Sequence, residues 1–207
     1  MVWLVAHTRW ATHGAPSEHN AHPHFSGTPE SPARIVIAHN GIIENYEAMR
    51  KRLHVEGFEF ISDTDSEVIA HLIAFNLKHN ADLVTAVCVS IVELQGAYAI
   101  AVMEEARPER IVLVRNGAPL LSGLGENGDY SASDASAFLK ATRSMIYLEE
   151  GDGVELTSSY RIVNCLSTSL VNEIRRPVHE SNLSSEAIEK GPYAYSCRKK
   201  YWNSPLQ

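Results

Sequence analysis

The sequence predicts a mixed α/β organisation with more than one helical layer. Three observations carry this: apolar residues at helical spacing between residues 44 and 94, a change to short strand-like runs beyond Gly96, and turn residues separating those runs. The chain has 207 residues, enough for one domain with a sizeable core.

The elements follow in order. Val2-Trp3-Leu4-Val5-Ala6 is a short apolar segment, and Ile35-Val36-Ile37-Ala38-His39 is a β-branched run ending at Asn40-Gly41 before Ile42-Ile43. Asn-Gly between apolar runs is a strong hairpin signal, so a type I′ turn is one expectation there. The other is a strand that stops at Asn40-Gly41 and feeds a helix from Glu44 to Gly57, with Tyr46, Met49, Arg50 and Leu53 on one face and Gly57 as its stop. Thr64-x-x-Glu67 has the form of a capping box opening a helix through Val68, Ile69, Leu72, Ile73 and Asn76. Asp82 is expected to cap a further helix carrying Leu83, Val84, Val87, Ile91 and Leu94. Beyond these, Ala97–Met103, Arg110–Arg115, Ser144–Leu148, Gly153–Thr157 and Tyr160–Cys165 read as short strands, and Asp134 caps a short helix through Leu139.

Composition narrows the function classes. The net charge of −7 argues against a nucleic-acid partner. No stretch approaches the roughly 20 apolar residues that span a bilayer, and no basic region precedes the first apolar run as in a signal peptide. Cys88, Cys165 and Cys197 are an odd count without framework spacing, which fits a reducing, cytoplasmic setting.

The chemistry gathers in His7-Thr8-Arg9-Trp10-Ala11-Thr12-His13-Gly14 and Asn20-Ala21-His22-Pro23-His24. Arg9 offers a planar fork for a carboxylate, Thr8 and Thr12 offer hydroxyl donors, and Trp10 an apolar lid. The cluster is that of a pocket for a small zwitterionic or anionic molecule. His19, His22 and His24 have spacings a zinc ion could use, but with no nearby cysteine and no His-Glu-x-x-His helix no metal is expected. Asn40 and Gly41 can aim a side-chain amide and a backbone N–H at one point, the donor pair of an oxyanion hole.

These blocks, with His39-Asn40-Gly41-Ile42-Ile43-Glu44-Asn45 and Ser62-Asp63-Thr64-Asp65-Ser66-Glu67, resemble the glutaminase domain of the glucosamine-6-phosphate synthase family. The resemblance continues through Gln95-Gly96-Ala97-Tyr98, Gly117-Ala118-Pro119-Leu120, Ala132-Ser133-Asp134 and Leu148-Glu149-Glu150-Gly151-Asp152, covering residues 3 to about 192 in family order. It implies an α+β class, the N-terminal-nucleophile hydrolase fold, an αββα sandwich of two antiparallel sheets, here without its first strand and the elements after it. It also implies transfer of the glutamine amide nitrogen to fructose 6-phosphate without a cofactor. Glutamine and the sugar-isomerase domains are the implied partners, and family members are homo-oligomers. Residue by residue, Arg9 clamps the glutamine α-carboxylate with Thr12 and the backbone at His13. Asp65 takes the α-ammonium, Asn40 and Gly41 form the oxyanion hole, and Trp10 is the gating indole.

Two departures qualify the resemblance: the opening of the chain, and Tyr193-Ala194-Tyr195-Ser196-Cys197-Arg198-Lys199-Lys200, where the family pattern is lost. The family's nucleophile is a cysteine at the mature N-terminus, which attacks the carboxamide to give a thioester; here the chain opens Met1-Val2-Trp3. Residues 1–180 are therefore expected to form a partial, inactive glutamine amidotransferase domain, and 181–207 a poorly ordered linker or tail. A non-catalytic glutamine-binding or regulatory remnant is the alternative. The sequence also leads to the expectation that Val2–Ala6 and Ile35–Ala38 leave unpaired ladder groups, making the chain prone to aggregate.

Overall fold

A computed structural model of the chain describes residues 4–8, 13–27, 34–80, 82–126, 128–157, 159–166 and 171–182. Seven strands form one sheet: β1 (His24–Ser26), β2 (Ile35–Ile43), β3 (Gly96–Glu104), β4 (Arg107–Asn116), β8 (Asp152–Leu156), β9 (Tyr160–Asn164) and β10 (Asn172–Ile174), neighbours in that order. Four form a second sheet from β5 (Leu121–Leu124), β6 (Tyr130–Ala132), β7 (Ser144–Tyr147) and β11 (Val178–Glu180), in the order β11-β7-β5-β6. The strand pairings are antiparallel throughout. This is the α+β class that the resemblance implies, with antiparallel strands where the residue pattern alone gave an α/β organisation.

Strand alternation sorts the large sheet's side chains onto two faces. Ile35, Ile37 and Ile43 of β2, Tyr98, Ile100 and Val102 of β3, and Val112 and Val114 of β4 belong to one core. Ile111, Leu113, Val154, Leu156 and Ile162 belong to another, shared with Ile146 of β7 between the sheets. A third, smaller cluster packs Phe138 and Leu139 on Leu121 and Met145 of the second sheet.

The first core is closed by α1 (Tyr46–Val55), α2 (Ser66–Leu77) and α3 (Leu83–Glu93). In α2 every residue from Ser66 to Ile73 is buried, because the helix lies inside the helical layer rather than at its surface. The Asp82 side chain accepts from Thr85 N–H, the cap expected for α3. Gly57 follows α1 with φ +87°, the left-handed stop that glycine adopts without a Cβ penalty. Asp134 accepts from Ser136 N–H and starts a 3-10 turn at Ala135–Ala137.

Several expectations are corrected. The strand does not stop at Asn40-Gly41, nor does it form a hairpin: β2 runs on to Ile43, pairing Gly41 with Tyr98 and Ile43 with Gly96. Gly41 has φ +144°, and a Cβ there would sit 2.1 Å from the Ala97 carbonyl oxygen, so glycine is required for the strands to meet. Thr64 is not the cap of α2. The N-cap position falls on Asp65, without a side-chain cap bond, and Glu67 turns back to other donors described below. Ile35–Ala38 is not left unpaired, since β1 covers Ile35–Ile37 on one side and β3 the whole run on the other; residues 4–6 form no strand, and Val2 and Trp3 lie outside the described residues. Cys88 and Cys165 are joined by a disulfide between α3 and the end of β9, with Cα atoms 4.5 Å apart, where the spacing had indicated no framework. Five strands, β1, β5, β6, β10 and β11, have no counterpart in the expected set.

Candidate active site

The candidate site is assembled on the edge of β2 past the end of β1. Because β1 pairs only as far as Ile37, the backbone of β2 beyond it meets the loop leading into α2. There the Ile43 N–H donates to Asp65 Oδ2 at 2.8 Å. Asp65 is 3% exposed. Its other oxygen stands 3.8 Å from His13 Nδ1, and the His13 ring packs edge-on against Tyr46 at the start of α1. The structure thus brings together His13 and Asp65, 52 residues apart in number, at the strand that carries Asn40 and Gly41. Arg9, Trp10 and Thr12 lie outside the described residues.

A polar hub holds this arrangement. Asn20, fully buried, accepts from Asp63 N–H at 2.9 Å and donates to the Ala15 carbonyl at 3.0 Å, tying the loop after His13 to the loop before α2. Gly14 fits beneath it with φ +73°; a Cβ there would lie 2.7 Å from Asn20 Nδ2. Arg50 of α1 donates to the Ser62 carbonyl at 2.8 Å, and the Thr64 hydroxyl lies 3.3 Å from His24 Nε2. The sequence reading missed Asn20, Arg50 and Ser62 as site-building residues. Asn20 and Ser62 are polar residues that end up buried and Arg50 is half-buried, a signal that exists only once three distant segments meet.

Glu67 and His39 have displaced acidities. Burial pushes the Glu67 carboxyl up, but the His71 imidazole, the N–H of Ile61 and the hydroxyl and N–H of Ser62 together outweigh it and hold the group at about 2. Burial lowers His39 to about 4, against a smaller opposing pull from Asp65 and with further lowering by His7 and His24. His39 Nδ1 sits 2.8 Å from Ser66 Oγ, so a neutral ring is held between β2 and α2. His7, His22 and His24 form a stack of edge-on rings beside it, with centroids 4.1 and 4.8 Å apart. Among the described residues, no group of three His, Cys, Asp or Glu side chains is placed to hold a metal ion.

Asn40 is exposed and, with Ala38 and His39, lines a cleft of about 880 Å³ between the two sheets. His7, Ala101, Leu113, Asp129 and Tyr130 line the same cleft.

This α+β arrangement of antiparallel sheets is that of the N-terminal-nucleophile hydrolase amidotransferases. The glutamine phosphoribosylpyrophosphate amidotransferase of B. subtilis superimposes with a TM-score of 0.63 over 80% of this chain and 35% of that one, at 25% identity. A structure described as the allosteric regulatory enzyme of purine biosynthesis gives 0.62 over 79% of this chain and 35% of that one, at 26% identity. The chain belongs to the glutamine amidotransferase domain family, whose profile matches residues 7–140. It is 45% identical over 201 residues to the glutamine–fructose-6-phosphate aminotransferase (isomerizing) of Haemophilus influenzae, across 97% of this chain and 32% of that protein. The Escherichia coli K12 enzyme of the same name gives the same identity and coverage. The chain therefore spans about a third of the length of these curated relatives and corresponds to their glutaminase region. Among the described residues, no helix is long and apolar enough to cross a membrane.

Proposed function

We propose that this chain is the glutamine-binding unit of a glutamine–fructose-6-phosphate aminotransferase. In the whole protein, ammonia taken from glutamine is delivered to fructose 6-phosphate, giving glucosamine 6-phosphate and glutamate. The observation that carries the reading is Asp65. It is a buried carboxylate with one oxygen satisfied by Ile43 N–H and the other facing His13, at the strand bearing Asn40-Gly41. A buried carboxylate of this kind suits an α-ammonium group, whose charge offsets the cost of burying its own. Arg9 pairs with the α-carboxylate through its bidentate fork, assisted by Thr12 and the His13 backbone. Asn40 and Gly41 supply the donors for the tetrahedral oxyanion, and Trp10 closes the pocket toward the ammonia route. The whole protein works through sugar-isomerase domains, as a homo-oligomer in the cytosol; the expected linker or tail lies, from residue 183 on, outside the described residues.

The covalent step needs a thiolate beside that oxyanion hole. Cys88 and Cys165 are bonded to each other in the helix-side core and are unavailable for it, and Cys197 lies outside the described residues. The 207-residue polypeptide is accordingly expected to bind glutamine and to release no ammonia from it. Calorimetric titration with glutamine, alongside an ammonia assay, tests both halves. Arg9→Lys should weaken binding, and Arg9→Ala or Asp65→Ala should weaken it further. Unchanged binding in both alanine variants defeats the residue assignments, and ammonia release by the 207-residue chain defeats the non-catalytic reading.

A further inference from the structure

Asp65 sits at the first turn of α2, but nothing within its own turn fixes it: its side chain makes no capping bond. What holds the loop that presents it is Glu67, two residues further on. One oxygen of Glu67 accepts from Ile61 N–H at 2.8 Å; the other accepts from Ser62 N–H and from the Ser62 hydroxyl, each at 2.7 Å. The Ser62 proton is committed to that carboxylate, so the Thr64 hydroxyl must donate to Ser62 Oγ, 2.9 Å away. His71, one turn along α2, places Nε2 3.4 Å from the same carboxylate, while its Nδ1 lies 3.0 Å from Ser26 Oγ of β1. Residues 61–64 are thus wound around one buried charge, and Asp65 follows directly from them.

We propose that Glu67 is a positioning residue for Asp65: by gathering the Ile61 and Ser62 donors it sets the loop so that the Asp65 carboxylate meets Ile43 N–H and faces His13. This rests on the reading that Asp65 receives the glutamine ammonium, and it assigns to Glu67 the pre-organisation of that contact. A carboxylate pinned before ligand arrives loses little freedom on binding, which is where affinity is gained. A neutral amide in place of Glu67 turns its own N–H donors toward N–H donors, so the loop cannot close the same way.

The test reads Asp65 through its partner, the Ile43 amide, in the 207-residue chain without ligand. An amide proton bonded to a carboxylate resonates downfield, and global stability does not move that signal. Asp65→Asn should shift the Ile43 resonance upfield, and Glu67→Gln should shift it in the same direction, whereas Leu113→Ala on the far face of the sheet should leave it in place. Glutamine affinity in Glu67→Gln should fall about tenfold, the scale of one charge-assisted hydrogen bond. Ser62→Ala, which removes the hydroxyl link and leaves the charge, should give a smaller upfield shift and decides the matter if Glu67→Gln does not fold. An Ile43 resonance that moves in Asp65→Asn and stays fixed in Glu67→Gln and Ser62→Ala overturns the proposal. A wild-type chain that ignores glutamine defeats the binding assignment instead, because the Ile43 signal is read without it.

Discussion

The two faces of the seven-stranded sheet are made by alternate residues of the same strands, and they are finished differently. On the helix side, Tyr98, Ile100 and Val102 meet α2 and α3 in a core whose members are nearly all inaccessible. On the other side, Ala99, Ala101 and Leu113 face the second sheet across a cleft of about 880 Å³. The strand propensities of the two sets differ little. The difference lies in what comes to cover them: three amphipathic helices with large side chains on one side, and on the other a four-stranded sheet whose strands run only three or four residues. The polar hub of Asn20, Ser62, Asp65 and Glu67 belongs to the well-packed side, which gives it a rigid support. Asn40, the proposed oxyanion donor, lines the cleft on the open side.

Core truncation should expose this contrast most strongly. Leu72→Ala in α2 removes a fully buried side chain from a close-packed setting and should cost about 3–5 kcal/mol. Leu113→Ala borders space that already exists, so it creates little new cavity and should cost about 2 kcal/mol or less. Chemical denaturation of both variants checks this, and equal losses would mean that the cleft is closed in solution.

A pH titration of stability tests the helix side next. His39 is lowered to about 4 in the folded chain, against 6.5 for the ordinary group. Between those values the unfolded chain binds the extra proton, so stability rises with pH and is lost as pH falls from about 6.5 to about 4. The loss should be on the order of 2–3 kcal/mol. His39→Gln should flatten this part of the curve while lowering stability at neutral pH. Glu67 acts lower, in a separate window: its stabilisation is complete above 4.5 and is lost as pH falls toward about 2. A curve unchanged by His39→Gln would place the titrating group elsewhere.

The smallest effect is expected from filling the open side. Ala101→Val adds volume where the side chain faces the cleft and should change stability by less than about 1 kcal/mol, in the stabilising direction if the new methyls find contacts. The same substitution at the helix-side position Ala70, which is fully buried, should destabilise by about 1–3 kcal/mol through overpacking. Thermal melts of the pair decide the sign. Two losses of similar size would show that the sheet's faces are packed alike.

Much of the architecture is legible in the chain order of residues. The three helices follow from apolar spacing, and Asp82 and Gly57 mark a start and a stop through local hydrogen bonding and φ. The long strands follow from β-branched runs. Strands of three residues such as His24–Ser26 and Tyr130–Ala132 do not, because so short a run has no measurable period. The Thr64-x-x-Glu67 pattern pointed to the right helix with the wrong partners. Glu67 found three donors at Ile61 and Ser62 that only the fold of the preceding loop delivers.

By itself the sequence determined the helices, the long strands and the stock of groups from which the site is drawn, since these depend on neighbours within a few positions along the chain. Tertiary structure decided the rest. It carried β2 through Gly41 to Ile43 because the strand could approach the Ala97 carbonyl where no Cβ intervenes. It joined Cys88 to Cys165 across 77 positions, and it set Asp65 against Ile43 and His13. Contacts between residues tens of positions apart depend on how elements pack, and packing is a property of the assembled chain rather than of any local pattern.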